Sequence, residues 1–127
     1  MKDKLKSKSE GLINELCWRD FYYNLFYNNP HMLKGQISKH KNMSFKEKFD
    51  HIKWSYNKTL FNKWADGTLG IPICDAGMRQ MNKTGFMHNR LRMVTAAVLT
   101  KLLMCPWQWG EKYFAQKLKD YDCIQNG

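Results

Sequence analysis

Residues 75–104, DAGMRQMNKTGFMHNRLRMVTAAVLTKLLM, decide the fold class of this 127-residue chain. Apolar residues recur at helical spacing from 88 to 104, which predicts a helix with one buried face. The stripe comprises Leu91, Val94, Val98 and Leu102, flanked by Ala97 and Leu99. Residues 75–82 predict a shorter helix that ends at Gly85. Polar side chains are dense along the same stretch, which indicates a ligand site. They are Arg79, Gln80, Asn89, Arg90 and Arg92.

The composition narrows the class of protein. A hydrophobic fraction of 43% and an aromatic fraction of 14% exclude a disordered tail. The apolar runs are too short and too interrupted by charge to cross a bilayer, so no membrane partner is expected. The net charge of +10 favours polyanions, with nucleic acid first among them. A lysine-rich solvated surface is the alternative explanation of that charge.

Cysteine and histidine spacing gives no sign of a metal site. The chain has four cysteines, without a C-x-x-C motif and without a histidine at zinc-finger spacing. Free and mostly buried thiols are therefore expected at Cys17, Cys74, Cys105 and Cys123. No apolar signal segment marks the amino terminus, so we expect an intracellular protein without a structural metal.

The amino-terminal part of the chain predicts one long helix. Residues 1–9 are basic and lack apolar periodicity, which indicates a flexible arm or the solvent-exposed start of a helix. Residues 10–127 are expected to form the helical domain. Its first helix covers residues 10–28, ends at Asn28-Asn29-Pro30 and should bury one face. That face comprises Leu12, Leu16, Arg19, Tyr23 and Phe26.

A second set of residues shares another side of this first helix. Glu15, Trp18, Arg19 and Tyr22 follow one another at i, i+3, i+4 and i+7. One interpretation is an intrahelical ion pair from Glu15 to Arg19, with the aromatic rings in a core. The other is the wall of a site, where a flat ring stacks on Trp18 and a polar edge meets Glu15.

The remaining segments also predict helices joined by turns. A capping box at Ser44 starts a short helix that carries Trp54, and a second short helix with Leu60, Phe61 and Trp64 stops at Asp66-Gly67. Residues 105–109 break the long helix, and residues 110–119 restart one. No alternating strand and no internal repeat is found, so the fold class is all-α.

Taken together, these segments resemble the flavin-binding helical domain of the DNA photolyase and cryptochrome family. The resemblance covers residues 10–127 in the family's order and spacing. The matching motifs are Asn14-Glu15-Leu16-x-Trp18-Arg19-Asp20-Phe21-Tyr22, Trp64-x-x-Gly67-x-x-Gly70-Ile71-Pro72, Asp75-Ala76-Gly77-Met78-Arg79-Gln80, Gly85-x-Met87-His88-Asn89-Arg90-Leu91-Arg92-Met93 and Trp107-x-x-Gly110-Glu111-x-Tyr113-Phe114 with Asp120-x-Asp122.

The resemblance implies a set of roles, residue by residue. Photolyases hold FAD in a helical domain and use light to repair a pyrimidine dimer flipped out of UV-damaged DNA. The implied lesion contacts are Glu15, Trp18, Arg19, Asn89 and Met93. The implied FAD contacts are Arg19, Asn89, Arg92, Asp120, Asp122 and Asn126. Glu15 and Asn89 would be catalytic, and Trp54 and Trp107 would carry electrons to the flavin.

The identity of two of these residues also discriminates within the family. Photolyases specific for the (6-4) lesion have histidines at the equivalents of Asn89 and Met93, so the resemblance favours cyclobutane dimer repair. The chain lacks the family's α/β antenna domain and its Ser/Thr-rich phosphate clamp, and it stops at Asn126-Gly127, before a Trp-x-Trp segment. No antenna chromophore is therefore expected on it.

The resulting hypothesis is a fragment of a class I-like cyclobutane pyrimidine dimer photolyase that needs the missing segments in trans. The alternative is a non-enzymatic DNA-binding relic of the same family, which keeps basic DNA-facing helices without redox chemistry. A cryptochrome-like light sensor is disfavoured because the sequence shows no signalling tail.

Overall fold

The computed structural model describes residues 2–30 and 51–124, with side chains from residue 10 onward in the first of these ranges. Contacts divide the chain into two compact units, one within residues 1–50 and the other within residues 51–126. Every regular element among the described residues is helical, which confirms the all-α class. No helix in the described ranges is long and apolar enough to span a bilayer.

The first unit contributes one long helix, α1, from Lys2 to Asn28. The backbone of residues 2–9 belongs to this helix, so these residues form the start of a helix and not a flexible arm. The boundary between an arm of residues 1–9 and a helical domain of residues 10–127 stays a prediction. The helix ends at the expected position. Asparagine side chains donate to carbonyls one turn back near this end, with Asn28 Nδ2 on Asn24 O at 2.8 Å and Asn29 Nδ2 on Leu25 O at 2.9 Å.

The apolar stripe predicted for α1 is not buried. Leu12, Leu16 and Tyr23 remain 63%, 42% and 45% exposed, and of the predicted stripe only Phe26 is buried. The other described residues of this unit add only a turn, so no second element among them packs on the stripe. The prediction of a buried face on α1 is therefore wrong for all but its last residue.

The second unit contains four α-helices and one π-helical segment in the described range 51–124. The α-helices are α2 (Lys58–Asp66), α3 (Pro72–Thr84), α4 (Asn89–Ala97) and α5 (Trp107–Lys117). The predicted stops at residues 67 and 85 are confirmed, because both glycines cap their helices in the left-handed region with φ of 67° and 79°. The helix predicted from Ser44 lies outside the described residues.

The long helix predicted over residues 88–104 is interrupted by a π-helical segment, Val98–Leu102. The amide of Leu103 donates to the carbonyl of Val98, five residues back, at 3.0 Å. This wider turn changes the direction in which the following side chains point. Leu102, expected in the core, is therefore 66% exposed, while Leu99, expected to flank the buried stripe, is buried at 1% exposure.

The core of the second unit is built around Trp64, which is fully buried. Its indole Nε1 donates to the backbone carbonyl of Thr95 at 2.9 Å, so the one polar atom of the ring has a partner. Other buried members come from α3, from α5 with the residue that follows it, and from the segments before and after α4. They are Cys74, Met78, Met81, Met87, Leu99, Cys105, Phe114 and Leu118.

None of the four cysteines, all of which lie in the described ranges, forms a disulfide, as expected, but only half of them are buried. Cys74 and Cys105 lie in the core, while Cys17 and Cys123 are exposed, which corrects the expectation of mostly buried thiols. Burial, with a smaller effect of the neighbouring Asp75, raises the pKa of Cys74 to about 11. This thiol therefore stays protonated and unreactive at neutral pH.

Substitution of Gly85 by alanine should destabilise the second unit. Gly85 has φ of +79°, and an added Cβ would lie 2.8 Å from Cγ of Lys119. We expect the free energy of unfolding, measured by urea titration, to fall by about 1–3 kcal/mol. Gly11, inside α1 with open space around it, is the matched control. There alanine should raise stability by about 0.5–1 kcal/mol, and equal effects at both positions would contradict the prediction.

Candidate functional site

Arg92 and Asp120 form an ion pair joined by two hydrogen bonds. Nη2 of Arg92 donates to both carboxylate oxygens of Asp120, at 2.9 and 2.8 Å, and Nε donates to the carbonyl of Met87 at 2.8 Å. The Arg92 side chain is 15% exposed and that of Asp120 is 49% exposed. The guanidinium is therefore held by charge-assisted hydrogen bonds on two sides and cannot swing freely.

The chain brings Asp120 to this position through its backbone. After α5 ends, the amide of Lys119 donates to the carbonyl of Gly85 at 3.0 Å, which ties this segment to the end of α3. Leu118, one residue earlier, is buried in the core, and the amine of Lys119 lies 5.6 Å from the ring centre of Phe86. These contacts fix the loop before the side chain of Asp120 meets Arg92.

Asn89 and Met93 lie one turn apart on α4, and both are exposed. His88 caps this helix, because its Nδ1 accepts from the amide of Arg90 at 3.2 Å. A methionine with 66% of its surface exposed is available for contact with another molecule. The two implied lesion contacts on α4 therefore share one accessible side of the helix.

The remaining implied flavin contacts are only partly described. Asp122 is half-buried, and its Oδ1 accepts from the amide of Ile124 at 2.8 Å. Asn126 lies outside the described residues. Arg19 is on α1, where Nε and Nη2 donate to Oδ1 of Asp20 at 3.2 and 3.0 Å. The roles given to these residues stay predictions.

The residues proposed on α1 form an exposed aromatic surface. Trp18 is 57% exposed and stacks on Tyr22 at 6.1 Å, with Phe21 edge-on at 5.9 Å. Glu15 is exposed as well. The interpretation that these aromatics fill a core is wrong for the described residues. The ion pair observed for Arg19 joins it to Asp20, whereas the sequence had suggested Glu15.

Trp54 and Trp107, the proposed electron carriers, are both half-buried. In the part of the chain that the structure describes, neither makes an aromatic ring contact. In the second unit, the rings that touch one another belong to a different set around Trp64. They are Tyr56, Phe61, Trp64, Trp109, Tyr113 and Phe114.

Sequence reasoning missed a contact at the end of the chain. The hydroxyl of Tyr121 donates to Oε1 of Glu111 on α5. Burial, together with this hydrogen bond and the negative charge of Glu111, raises the pKa of Tyr121 well above its ordinary value. The tyrosine hydroxyl therefore stays protonated, and remains a donor, at neutral pH. The sequence offered a signal for this contact, because Tyr121 lies between Asp120 and Asp122, the two implied flavin contacts.

The polar side chains that suggested a ligand have different environments in the structure. Arg79 and Gln80 on α3 and Arg90 on α4 are exposed, whereas Arg92 is engaged with Asp120. Asp75 is buried, and its carboxylate accepts from the amides of Leu69 and Gly70 at 3.0 and 2.8 Å. Asp75 therefore holds the turn before α3, and α4 carries the candidate site.

Comparison with known proteins assigns this helical architecture to a class. Residues 12–127 match the family described as the FAD binding domain of DNA photolyase, and the chain belongs to that family. It is 42% identical to a deoxyribodipyrimidine photo-lyase of Neurospora crassa over 97% of its own length. An archaeal photolyase from Sulfolobus tokodaii, crystallised with two FAD molecules, superimposes with a TM-score of 0.80 at 44% identity over 93% of this chain.

A cryptochrome from Synechocystis is also similar, with a TM-score of 0.77 at 35% identity over 92% of this chain. The chain spans only part of each of these proteins, namely 19% of the Neurospora enzyme and 26% of the Sulfolobus chain. In the Synechocystis protein the share is 23%. The matches therefore establish the family and the fold, and they show that the chain belongs to a family of FAD-binding domains.

Proposed function

We propose that this chain supplies part of the flavin and lesion site of a light-driven deoxyribodipyrimidine photolyase, acting on cyclobutane pyrimidine dimers in UV-damaged DNA. The observation that carries the proposal is the Arg92 to Asp120 pair, which the resemblance assigned to the flavin and which has the expected partners. The chain spans about a fifth of its Neurospora relative, so the proposal concerns part of the site of such an enzyme.

The residues around this pair fit the ring system of a flavin. A flavin ring presents both hydrogen-bond donors and acceptors along one edge, so it needs partners of both kinds. Arg92 supplies donors and Asp120 supplies acceptors, and both are already held in place by Met87 and Gly85 through the contacts described above. Such a pre-organised pair loses little conformational entropy when a ligand binds.

Each member of the proposed site has a defined role. A bound reduced flavin would supply the electron that light transfers to the dimer. Arg92 and Asp120 would orient the ring, with Asp122, Asn126 and Arg19 as further contacts. Asn89, at the start of α4, would donate or accept a hydrogen bond between flavin and lesion, and Met93 would cover the apolar face of the dimer.

The residues on α1 would recognise the flipped dimer. Trp18 offers an indole with more than half of its surface exposed, and a base extruded from a duplex is held by stacking on such a ring. Glu15, one turn before Arg19, would accept hydrogen bonds from the polar edge of the dimer. Trp54 and Trp107 are proposed to pass electrons to the flavin.

Binding of DNA without repair is the second candidate function. The net charge of +10 favours it, because lysines that neutralise phosphates give affinity for any duplex. This candidate predicts similar affinity for damaged and undamaged DNA, falling steeply as salt rises. A strong preference for dimer-containing DNA would exclude it.

Substitution of Trp18 by alanine tests lesion recognition. A suitable protein is the Neurospora relative with its matching segment replaced by residues 12–127 of this chain, called the graft below. Loss of the stacking indole should weaken binding of dimer-containing DNA in the dark by about tenfold or more, since base stacking contributes roughly 1–3 kcal/mol. Binding to undamaged DNA should not change, and both affinities are measured by fluorescence anisotropy.

Tyr27→Ala is the matched control, because Tyr27 is an aromatic residue of the same helix with 85% of its surface exposed. Its substitution should leave both affinities unchanged. Equal losses in the two variants, or a wild-type graft without preference for the dimer, would refute lesion recognition by Trp18.

A further inference from the structure

A recess of about 310 Å³ opens between α2 and α5. Lys58, Phe61 and Asn62 line it from α2, and Trp109, Lys112 and Tyr113 line it from α5. None of these residues belongs to the flavin, lesion or electron-transfer sets proposed above. The volume is at the small end of the range of roughly 300–1,000 Å³ that ligand pockets occupy.

The lining follows from helical spacing on two facing elements. The three residues of α2 are at i, i+3 and i+4, and those of α5 repeat the same spacing, with Gln116 one turn further. Each helix therefore presents one lysine, one or two aromatic rings and one amide to the same space. This pattern of lysine, aromatic and amide residues is present in the sequence of both helices, although neither helix alone indicated a site.

The recess has an unbalanced positive charge. Lys58 and Lys112 are exposed, and neither has an acidic partner among the described residues. The first turn of α2, where Lys58 lies, contains no acidic residue. Two ammonium groups beside one apolar recess favour an anionic ligand, because neither is ion-paired with a carboxylate of the described residues.

The aromatic part of the lining is available for stacking. Phe61 and Tyr56 contact Trp109 at 5.3 and 5.7 Å with interplanar angles of 73° and 69°, so neither ring is stacked on the indole. The hydroxyl of Tyr113 lies 2.9 Å from Oδ1 of Asn82 and is engaged there. The ring of Tyr113 therefore lines the recess, while its hydroxyl forms a hydrogen bond with α3.

From these features we propose that the recess binds a nucleotide. The phosphate would lie between Lys58 and Lys112, and the base would stack on Trp109, where Asn62 and Gln116 can reach its polar edge. The same chemistry is offered by a free nucleotide and by an unpaired nucleotide of a DNA strand. This site involves neither flavin nor light, so its failure would leave the proposed repair function untouched.

The test is calorimetric titration of the 127-residue chain with deoxyadenosine monophosphate. Deoxyadenosine and inorganic phosphate serve as the two halves of the ligand. We expect saturable binding of the nucleotide, with each half binding about tenfold or more weakly, because it lacks either the charge-assisted or the stacking contact. If phosphate alone or the nucleoside alone binds as tightly as the nucleotide, the proposal is wrong.

Two substitutions assign the binding to this recess. Lys58→Gln combined with Lys112→Gln should weaken nucleotide binding by about tenfold or more, and Trp109→Leu should do the same. The charge-matched control is Lys53→Gln with Lys83→Gln, two exposed lysines outside the recess. Circular dichroism checks that each variant is folded. Equal affinity in the lysine double variant and its control would overturn the assignment.

A short single-stranded oligo(dA) distinguishes the two sources. If it binds more tightly than the mononucleotide, and the Lys58→Gln/Lys112→Gln variant loses that gain, the ligand is a strand. If the strand brings no gain, the ligand is a free nucleotide. Absence of saturable binding by both probes to the folded chain overturns the proposal.

Discussion

Replacing Trp64 by alanine is expected to lower the free energy of unfolding of the second unit by about 3–5 kcal/mol. Trp64 is fully buried, and its ring contacts Phe61, Tyr113 and Phe114 at centroid distances of 5.6 to 5.8 Å. The substitution leaves a large cavity and also removes the donor to the carbonyl of Thr95. Urea unfolding followed by circular dichroism measures the loss.

A second variant separates the two causes. Trp64→Phe keeps most of the apolar volume and removes only the indole donor to the carbonyl of Thr95, so its loss should be smaller than that of the alanine variant. Ile73→Ala on α3, where the side chain is 55% exposed, should change stability by less than about 0.5 kcal/mol. If Trp64→Ala were as stable as Ile73→Ala, the described core would be wrong.

Replacing Arg92 by methionine is expected to lower the flavin affinity of the graft by about tenfold or more, since it removes charge-assisted hydrogen bonds. Methionine keeps the length and apolar stem of the side chain, so α4 should remain folded. It cannot donate to Met87 or to Asp120, and the carboxylate would lose its orientation. Flavin content of the purified protein, read from visible absorbance, measures the effect.

Arg90→Met is the matched control for this prediction. Arg90 lies two residues away on α4 and is exposed, so the same change of charge occurs outside the proposed flavin contact. Its flavin content should equal that of the unmodified graft. Equal flavin content in the two variants would show that Arg92 does not hold the cofactor.

Much of the second unit could be predicted from the sequence because its signals are local. Gly67 and Gly85 end helices through their own backbone conformation, and Trp64 lies in a short amphipathic helix. The Arg92 to Asp120 contact joins residues 28 positions apart, and it was anticipated from the resemblance alone. Nothing in the spacing of the two residues would have paired them.

The errors arose where burial depends on distant partners. Helical periodicity predicted a buried stripe on α1, but periodicity reports which residues share a side and cannot show what covers it. After α4 the π-helical segment Val98–Leu102 changed the direction of the side chains, so Leu102, predicted to be buried, is exposed. The recess between α2 and α5 was missed because it exists only when both helices are folded together.

Light-dependent repair by the graft tests the central claim most directly. The substrate is a DNA strand with a single cyclobutane dimer, and the measurement is the loss of dimers after illumination of purified, flavin-containing protein. If this chain supplies a working part of the flavin and lesion site, dimers disappear in the light and persist in the dark. Bound flavin and bound dimer with no loss of dimers in the light would contradict the claim.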